Sequence, residues 1–307
     1  MKTLVLSHAD VEELLTMEEC IAVMEDALAS LARGEVHNPL RQAIRAPGAP
    51  GLLGLMPAWR AGATPYYGLK EVCVFPDNPK RGLDTHVGLV VLHSGETGEP
   101  LALMNASAIT AIRTAAVSAV ATKLLARDDA TILTIIGAGV QGESHRRAIP
   151  LVRDIREIRM VRRGDDVESA VRGADIIVTA TNSREPILRR EWLSPGVHIN
   201  AVGSSIAAAR ELDGATVAAA SLFVDRREST VNEGGDYLFA VKEGAIAGPE
   251  HIRAELGEIL IGNASGRSSV DEITLFKSLG LAVEDLASAA FLFGKAKEIG
   301  RGTWVEI

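Results

Sequence analysis

The chain has 307 residues, with 32 Lys plus Arg against 40 Asp plus Glu, a formal net charge of −8 and a pI near 5.5. This acidic balance discounts nucleic acid as the main partner, because nucleic-acid binders usually carry a basic surplus. Two cysteines, Cys20 and Cys73, exclude a disulfide framework and a cysteine-based zinc site, and fit thiols in a reducing compartment.

The N-terminal stretch has too short an apolar core for a signal peptide and meets acids at once. No run approaches the ~20 apolar residues that span a bilayer, so a cytoplasmic protein with no membrane partner is expected. Asp10 is expected to cap a first helix, with Glu12 and Glu13 in its first turn. Thr16 and Glu19 form a capping box for a second helix, whose apolar residues Ile21, Met24, Leu28 and Leu31 share one face and which ends at Gly34. From His37 to about Pro100, Gly and Pro recur between short apolar runs. Leu52–Met56, Tyr67–Phe75 and Val87–His93 read as antiparallel strands, and Gly95–Gly98 turns into a further strand, Leu101–Asn105. Ala108–Ala126 is an Ala-rich helix carrying Arg113 and Thr114 early.

Strands and helices then alternate. Ala130–Ile136 reads as a buried strand, apolar but for Thr131 and Thr134, and a helix follows to about Ile149. Glu157–Val161, Ala174–Ala180, His198–Val202 and Ser221–Val224 read as further buried strands. This order argues for a Rossmann-type, doubly wound parallel α/β sheet. Only residues 165–173 separate the second and third of these strands, room for one short helix, so the sheet is trimmed there. From Ile273 the chain reads as helical almost to its end. Two domains are therefore expected: an antiparallel α+β domain of residues 1–112 rejoined by about 281–307, and a dinucleotide-binding domain of residues 113–280.

The sharpest motif is Gly137-Ala138-Gly139-Val140-Gln141-Gly142. Gly137 permits a tight turn, Gly139 a close approach to pyrophosphate, and Gly142 close helix–strand packing, with the helix N-terminus facing the anion. The motif follows a buried strand and opens a helix, the context that gives it meaning. The ribose end is read about 20 residues on, where NAD calls for an acid and NADP for a cation. Arg163 stands there as a reader of a 2′-phosphate; a register slip of two would make Asp165 the reader and favour NAD. The loop Gly203-Ser204-Ser205 follows a strand and reads as lining the cofactor site. Lys70 lies inside an apolar strand, where lysines are more often edge or solvent residues. Arg113 stands in an otherwise uncharged helix start and suits a bidentate clamp on a carboxylate. Arg41 is a second anion ligand by type. The seven histidines show no metal spacing, and there is no Gly-x-Ser-x-Gly elbow.

Taken in order, several stretches resemble the ornithine cyclodeaminase/mu-crystallin family. They are Gly54–Ala58, Gly68-Leu69-Lys70, Thr97–Pro100, Ile109–Ala116, the glycine fingerprint, Gly173–Thr181, Ile199–Gly203, Gly235-Asp236 and Phe276–Asp285. The resemblance implies a homodimer built through the antiparallel domain. It also implies NAD(P)(H) chemistry on a small amino acid, keto acid or cyclic imine. By position Lys70 matches the family's active-site lysine, Arg113 and Arg41 its carboxylate ligands, and Thr114 a pyrophosphate contact. Met56 is expected to shape substrate specificity. The expected cofactor set joins Thr114, Gly137, Gly139, Val140, Gln141 and Gly142 with Arg163, Thr181, Val202, Gly203, Ser204 and Ser278. Cyclodeaminases carry an Asp two residues beyond the glycine matched by Gly203. Ser205 stands there instead, as in mu-crystallin-like imine reductases, whose arginine after the second strand matches Arg163 and accompanies NADPH use. NADP(H) is therefore the expected cofactor, with NAD(H) as the other possibility. The expected reaction is imine reduction or amino-acid dehydrogenation, with cyclodeamination or non-catalytic nucleotide binding as alternatives.

Overall fold

The computed structural model describes residues 2–307. Among the described residues the chain divides into two compact units. One runs to Arg113 and resumes over Leu281–Ile307; the other is Thr114–Gly280.

The first unit opens with strand β1 (Lys2–Leu6), helix α1 (His8–Leu14) and helix α2 (Met17–Ala32). Ser7, not Asp10, is the N-cap of α1. The Ser7 hydroxyl accepts from the Asp10 amide while the Asp10 carboxylate accepts from the Ser7 amide, so Asp10 is the third-position partner in a capping box. That choice turns Val11 and Leu14 inward. Thr16 and Glu19 cap α2 as the sequence predicts, and Gly34, at φ +75°, follows its end.

Short strands β2 (Val36–His37) and β3 (Gln42–Ile44) precede four long ones, β4 (Leu52–Arg60), β5 (Tyr66–Val74), β6 (His86–Ser94) and β7 (Pro100–Asn105). Helix α3 (Ala106–Leu125) follows. It corrects one expectation, since its length and mean hydropathy would allow it to cross a membrane. Yet 72% of its apolar window is buried inside the protein, and it carries the buried Arg113.

The second unit is a seven-stranded parallel sheet: β8 (Ile132–Ile136), β9 (Glu157–Val161), β10 (Ile176–Thr179), β11 (His198–Ala201), β12 (Ser221–Val224), β13 (Ile252–Glu255) and β14 (Thr274–Lys277). Their order is β13-β12-β14-β11-β10-β8-β9. Helices α4 (Val140–Ala148), α5 (Val167–Val171), α6 (Gly214–Ala219), α7 (Arg227–Glu233), α8 (Gly235–Lys242) and α9 (Leu256–Leu260) connect them. Strands β10, β11 and β14 are buried at every residue, as strands covered on both faces must be. Beyond β8 the sheet ends at β9, with only the five-residue α5 leading back to β10. The helix expected from Ile273 begins only later, because Thr274–Lys277 is strand β14, seated between β11 and β12.

The chain returns to the first unit as helix α10 (Ala282–Ile299) and strand β15 (Thr303–Glu306). The first unit's sheet then runs β15-β1-β7-β6-β5-β4-β2, with β3 also paired to β4. It is mixed rather than purely antiparallel, since β1 pairs parallel with β7. Helix α10 packs across β4, β5 and β6 and against α2. The covered face carries Met56, Ala58, Lys70, Val90, Leu92, Ala102 and Met104, all buried. The opposite face presents Leu55, Tyr67, Leu69, Val87, Leu89 and Val91, with Tyr67, Val87 and Leu89 exposed.

Candidate functional site

In the first unit, Lys70 projects from β5 onto the face that α10 covers. Met56 and Val90 are its cross-strand neighbours. Two residues earlier on the same face, a Cβ at Gly68 would stand 2.8 Å from Leu286 Cδ1. Glycine there lets α10 lie close to the sheet, which brings the first turn of α10 onto Lys70. The Lys70 ammonium lies 2.8 Å from Asp285 Oδ2, and both residues are at most 4% exposed. Arg113, from α3, donates Nε to Asp285 Oδ1 at 3.1 Å and Nη1 to Glu284 Oε2 at 2.6 Å. Asn38 accepts from the Val283 amide at 2.8 Å, capping α10 from outside the helix. The positive end of α10 favours the two acids in its first turn.

Two cations and two anions thus share a dry space, the circumstance in which buried charge is tolerated. Burial pulls Lys70 down to about 8 despite the carboxylate of Asp285. Burial opposes ionisation of Asp285, yet Arg113 and Lys70 together hold it below the usual carboxylate range. Burial, with the charges of Lys70 and Arg113, also lowers His86. A lysine near 8 exchanges a proton close to neutral pH. Of the residues singled out from sequence, Lys70, Arg113 and Met56 come together here. Arg41 lies half-buried in the segment between Asn38 and β3. The carboxylates that Arg113 holds are the chain's own Glu284 and Asp285. Sequence reasoning quoted both acids only as part of a motif.

In the second unit, β8 ends at Ile136 and Gly137 turns with φ +117°. A Cβ there would stand 2.4 Å from the Ala180 carbonyl oxygen. Gly139 begins α4 without any side-chain cap, and a Cβ on it would meet nothing within 4 Å. A Cβ at Gly142 would lie 1.8 Å from the Gly137 carbonyl oxygen. Val140 is exposed and Gln141 half-buried at this helix start. An uncapped nine-residue helix opening on open space after a glycine turn fits a pyrophosphate.

At the end of β9, Gly164 takes φ +98°. The Asp165 carboxylate accepts from the Arg162 amide at 2.7 Å, and the Asp165 amide donates to the Arg162 carbonyl at 3.1 Å. Asp165 is thereby engaged in closing the turn, and Arg163 is exposed in it.

The loops after β10, β11 and β14 rest on a buried polar scaffold that sequence reasoning missed. Glu211 accepts at Oε1 from the Thr181 amide (2.6 Å) and hydroxyl (2.8 Å), and at Oε2 from the Thr179 hydroxyl and the Gly203 amide (both 2.8 Å). Asp236 Oδ1 accepts from the amides of Glu211 (2.7 Å) and Leu212 (2.9 Å). Its Oδ2 accepts from Ser204 and lies 3.0 Å from the Lys277 ammonium. Lys277 also donates to Ser204 Oγ at 2.8 Å. Asp225 Oδ2 accepts from the amides of Leu279 (2.6 Å) and Gly280 (2.7 Å). Burial pushes the Glu211 carboxyl up, and Asp236 pushes the same way, against Lys277, the Thr181 amide and the Thr179 hydroxyl. Ser204 therefore spends its hydroxyl on this scaffold; Val202, Ser278 and Thr114 are also buried. Asp236 and Lys277 lay within stretches that carried the family resemblance, whereas Glu211, in Arg210-Glu211-Leu212, reads as ordinary surface charge.

The model of the ornithine cyclodeaminase/mu-crystallin family matches residues 1–166 and 160–300. The chain is 38% identical to a Δ1-pyrroline-2-carboxylate reductase of Bacillus cereus over 99% of both chains. It is similar to the structure of the Thermococcus litoralis Δ1-pyrroline-2-carboxylate reductase in complex with NADH and L-proline, with a TM-score of 0.93 and 39% identity over 98% of this chain and 99% of that one. It is equally similar in fold to an archaeal alanine dehydrogenase dimer with bound NAD, with a TM-score of 0.93 and 36% identity over the full length of both. With a family model spanning nearly all of its length and relatives matched end to end, the chain belongs to the ornithine cyclodeaminase/mu-crystallin family.

Proposed function

We propose that this chain is an NAD(P)(H)-dependent oxidoreductase acting on the carbon–nitrogen bond of a small amino acid or cyclic imine. The observation that carries this reading is the buried Lys70, held at 2.8 Å by Asp285 and sharing that carboxylate with Arg113. When bound, the nicotinamide supplies or accepts the hydride. The chain's own residues do the rest. Arg113, with Arg41, receives the substrate carboxylate. Lys70 gives a proton to the imine nitrogen during reduction and takes it back from the amine during oxidation. Met56, beside Lys70 on the sheet, bounds the substrate side chain. The glycine turn Gly137–Gly142 takes the pyrophosphate with Thr114, while Thr181, Val202, Gly203, Ser204 and Ser278 border the nicotinamide half. Arg163 reads a 2′-phosphate and makes NADP(H) the preferred cofactor, since Asp165 is committed to its own turn. Ser205 at the cyclodeaminase aspartate position favours net redox chemistry over ring closure with loss of ammonia.

The exposed apolar face of the first unit's sheet supports a homodimer made through it. Sedimentation of the purified chain as a monomer at micromolar concentration would overturn that assignment. Two free thiols and a need for reduced cofactor suit the cytoplasm.

The test is oxidation of NADPH or NADH by the purified protein. The substrates offered are Δ1-pyrroline-2-carboxylate, Δ1-piperideine-2-carboxylate, and pyruvate with ammonia or methylamine. Turnover with NADPH preferred is expected. Lys70→Ala is expected to fold and bind cofactor but lose turnover by at least about 100-fold. Undiminished turnover in that variant sinks the role of Lys70, and inactivity of the wild type towards every substrate sinks the reading.

A further inference from the structure

The Glu211 carboxylate is fully buried, lies outside the chemistry described above, and accepts four hydrogen bonds. Those bonds run to the last residue of β10 and the loop following it, and to the loop following β11. In a doubly wound sheet, ligands lie beyond the carboxyl ends of the strands, and each half of the sheet takes one half of a dinucleotide. The glycine turn after β8 and the arginine turn after β9 belong to one half, and β10 and β11 to the other. We propose that Glu211 is a positioning residue, whose carboxylate straps the β10 loop to the β11 loop and so sets the backbone against which the nicotinamide half of the cofactor lies. The proposal rests on the dinucleotide reading of the second unit.

Two features support it beyond the four bonds, and the pattern of the bonds themselves is a third. The strap is itself anchored, because Asp236 holds the amides of Glu211 and Leu212 and is paired in turn with Lys277 and Ser204. The backbone opposite Glu211 is cut back to admit it. A Cβ at Gly203 would lie 2.5 Å from Glu211 Oε1 and 2.0 Å from the Thr181 carbonyl oxygen. Finally, a buried carboxylate is retained only where its lone pairs are met, and here each oxygen faces one backbone amide and one hydroxyl. Packing alone would be met by an apolar side chain, which could not hold two loop amides.

The experiment compares wild type with Glu211→Gln. Glutamine keeps the shape but turns an amino group onto one of the two donor pairs, breaking half the strap. Binding of NADPH and NADH is followed by cofactor fluorescence. Binding of 2′-phospho-ADP-ribose and ADP-ribose, which lack the nicotinamide, is followed by calorimetry. The expected result is a loss of at least about tenfold in dinucleotide affinity, the weight of one charge-assisted hydrogen bond. The nicotinamide-free fragments should bind within about twofold of wild type, because their half of the sheet is untouched. Equal weakening of dinucleotide and fragment means a structural role only and overturns the proposal; so does unchanged dinucleotide affinity. Thr179→Val, which removes one donor to Glu211 Oε2, gives the same two-ligand comparison should the glutamine variant fail to fold. A wild type that binds neither dinucleotide nor fragment overturns the dinucleotide reading itself, an outcome distinct from either result with Glu211→Gln.

Discussion

Replacing Asp285 by Asn is expected to move the pH dependence of the reaction. Asp285 lies 2.8 Å from the Lys70 ammonium and 3.1 Å from Arg113 Nε, with 1% of its side chain exposed. Two unit charges about 4 Å apart attract by about 4 kcal/mol at an effective dielectric near 20. One pKa unit corresponds to about 1.4 kcal/mol, so the Asp285 charge holds Lys70 up by as much as about 3 units. The asparagine oxygen still accepts from the ammonium, and Glu284 keeps its charge, so a fall of about 1–3 units from the value near 8 is expected. With Lys70 in the proposed role, reduction is expected to decline as pH rises through its pKa and oxidation to rise through it. Both limbs should therefore shift from about 8 towards about 6. The assay is kcat/KM in both directions from about pH 5 to about pH 10. Arg113 stays charged throughout, and His86 titrates below its ordinary value, under the limb near 8. Removing one partner of a buried pair costs about 3–5 kcal/mol, so thermal unfolding should also show a marked loss of stability. A folded Asp285→Asn enzyme whose limbs stay within about 0.3 units of wild type would refute the coupling.

Arg163→Ser should raise the KM for NADPH by about 10- to 100-fold, the weight of a charge-assisted phosphate contact, and leave NADH within about twofold; equal effects on both cofactors would remove Arg163 from the ribose end. Acid stability follows from His145 and His198, which burial lowers to about 4 and about 3. Their folded-state pKa values lie below the unfolded value of 6.5, so both are neutral in the folded protein and the stability they contribute above 6.5 is lost as pH falls towards 4. Denaturant unfolding should therefore show stability declining across that window with a slope of up to about 2.7 kcal/mol per pH unit, and a flat profile would contradict it.

How much the sequence revealed depended on the range of the forces involved. The glycine turn was legible because φ +117° at Gly137 and a 1.8 Å clash at Gly142 are demands only glycine meets. The buried parallel strands were legible because they are short runs in which apolar residues predominate. Strand β14 was not, because Lys277 interrupts its apolar run and distant Asp236, Ser204 and the Ala201 carbonyl account for a lysine there. Strands β1 and β15 pair with one another across the length of the chain, a pairing that leaves no local periodicity. The α1 cap was misplaced by three residues because Ser7 and Asp10 are both good caps, and the packing of Val11 and Leu14 decides between them. At the site, Lys70 and Arg113 stood out as cations in apolar surroundings. Their counter-charges lie over 170 residues away, so no spacing rule connects them.

That separation has a consequence for synthesis. At about 5–20 residues per second, a ribosome that has just made Arg113 takes roughly 10–30 s more to make Glu284 and Asp285. For that interval Lys70 and Arg113 have no carboxylates to meet them, and the site they share cannot close around bare cations. The middle unit is contiguous in the chain, but β14, seated between β11 and β12, is made only just before Glu284, so its sheet too is complete only at the end of that interval. A polypeptide that terminates before residue 284 therefore loses the neutralised pair at Lys70 before it loses the glycine turn.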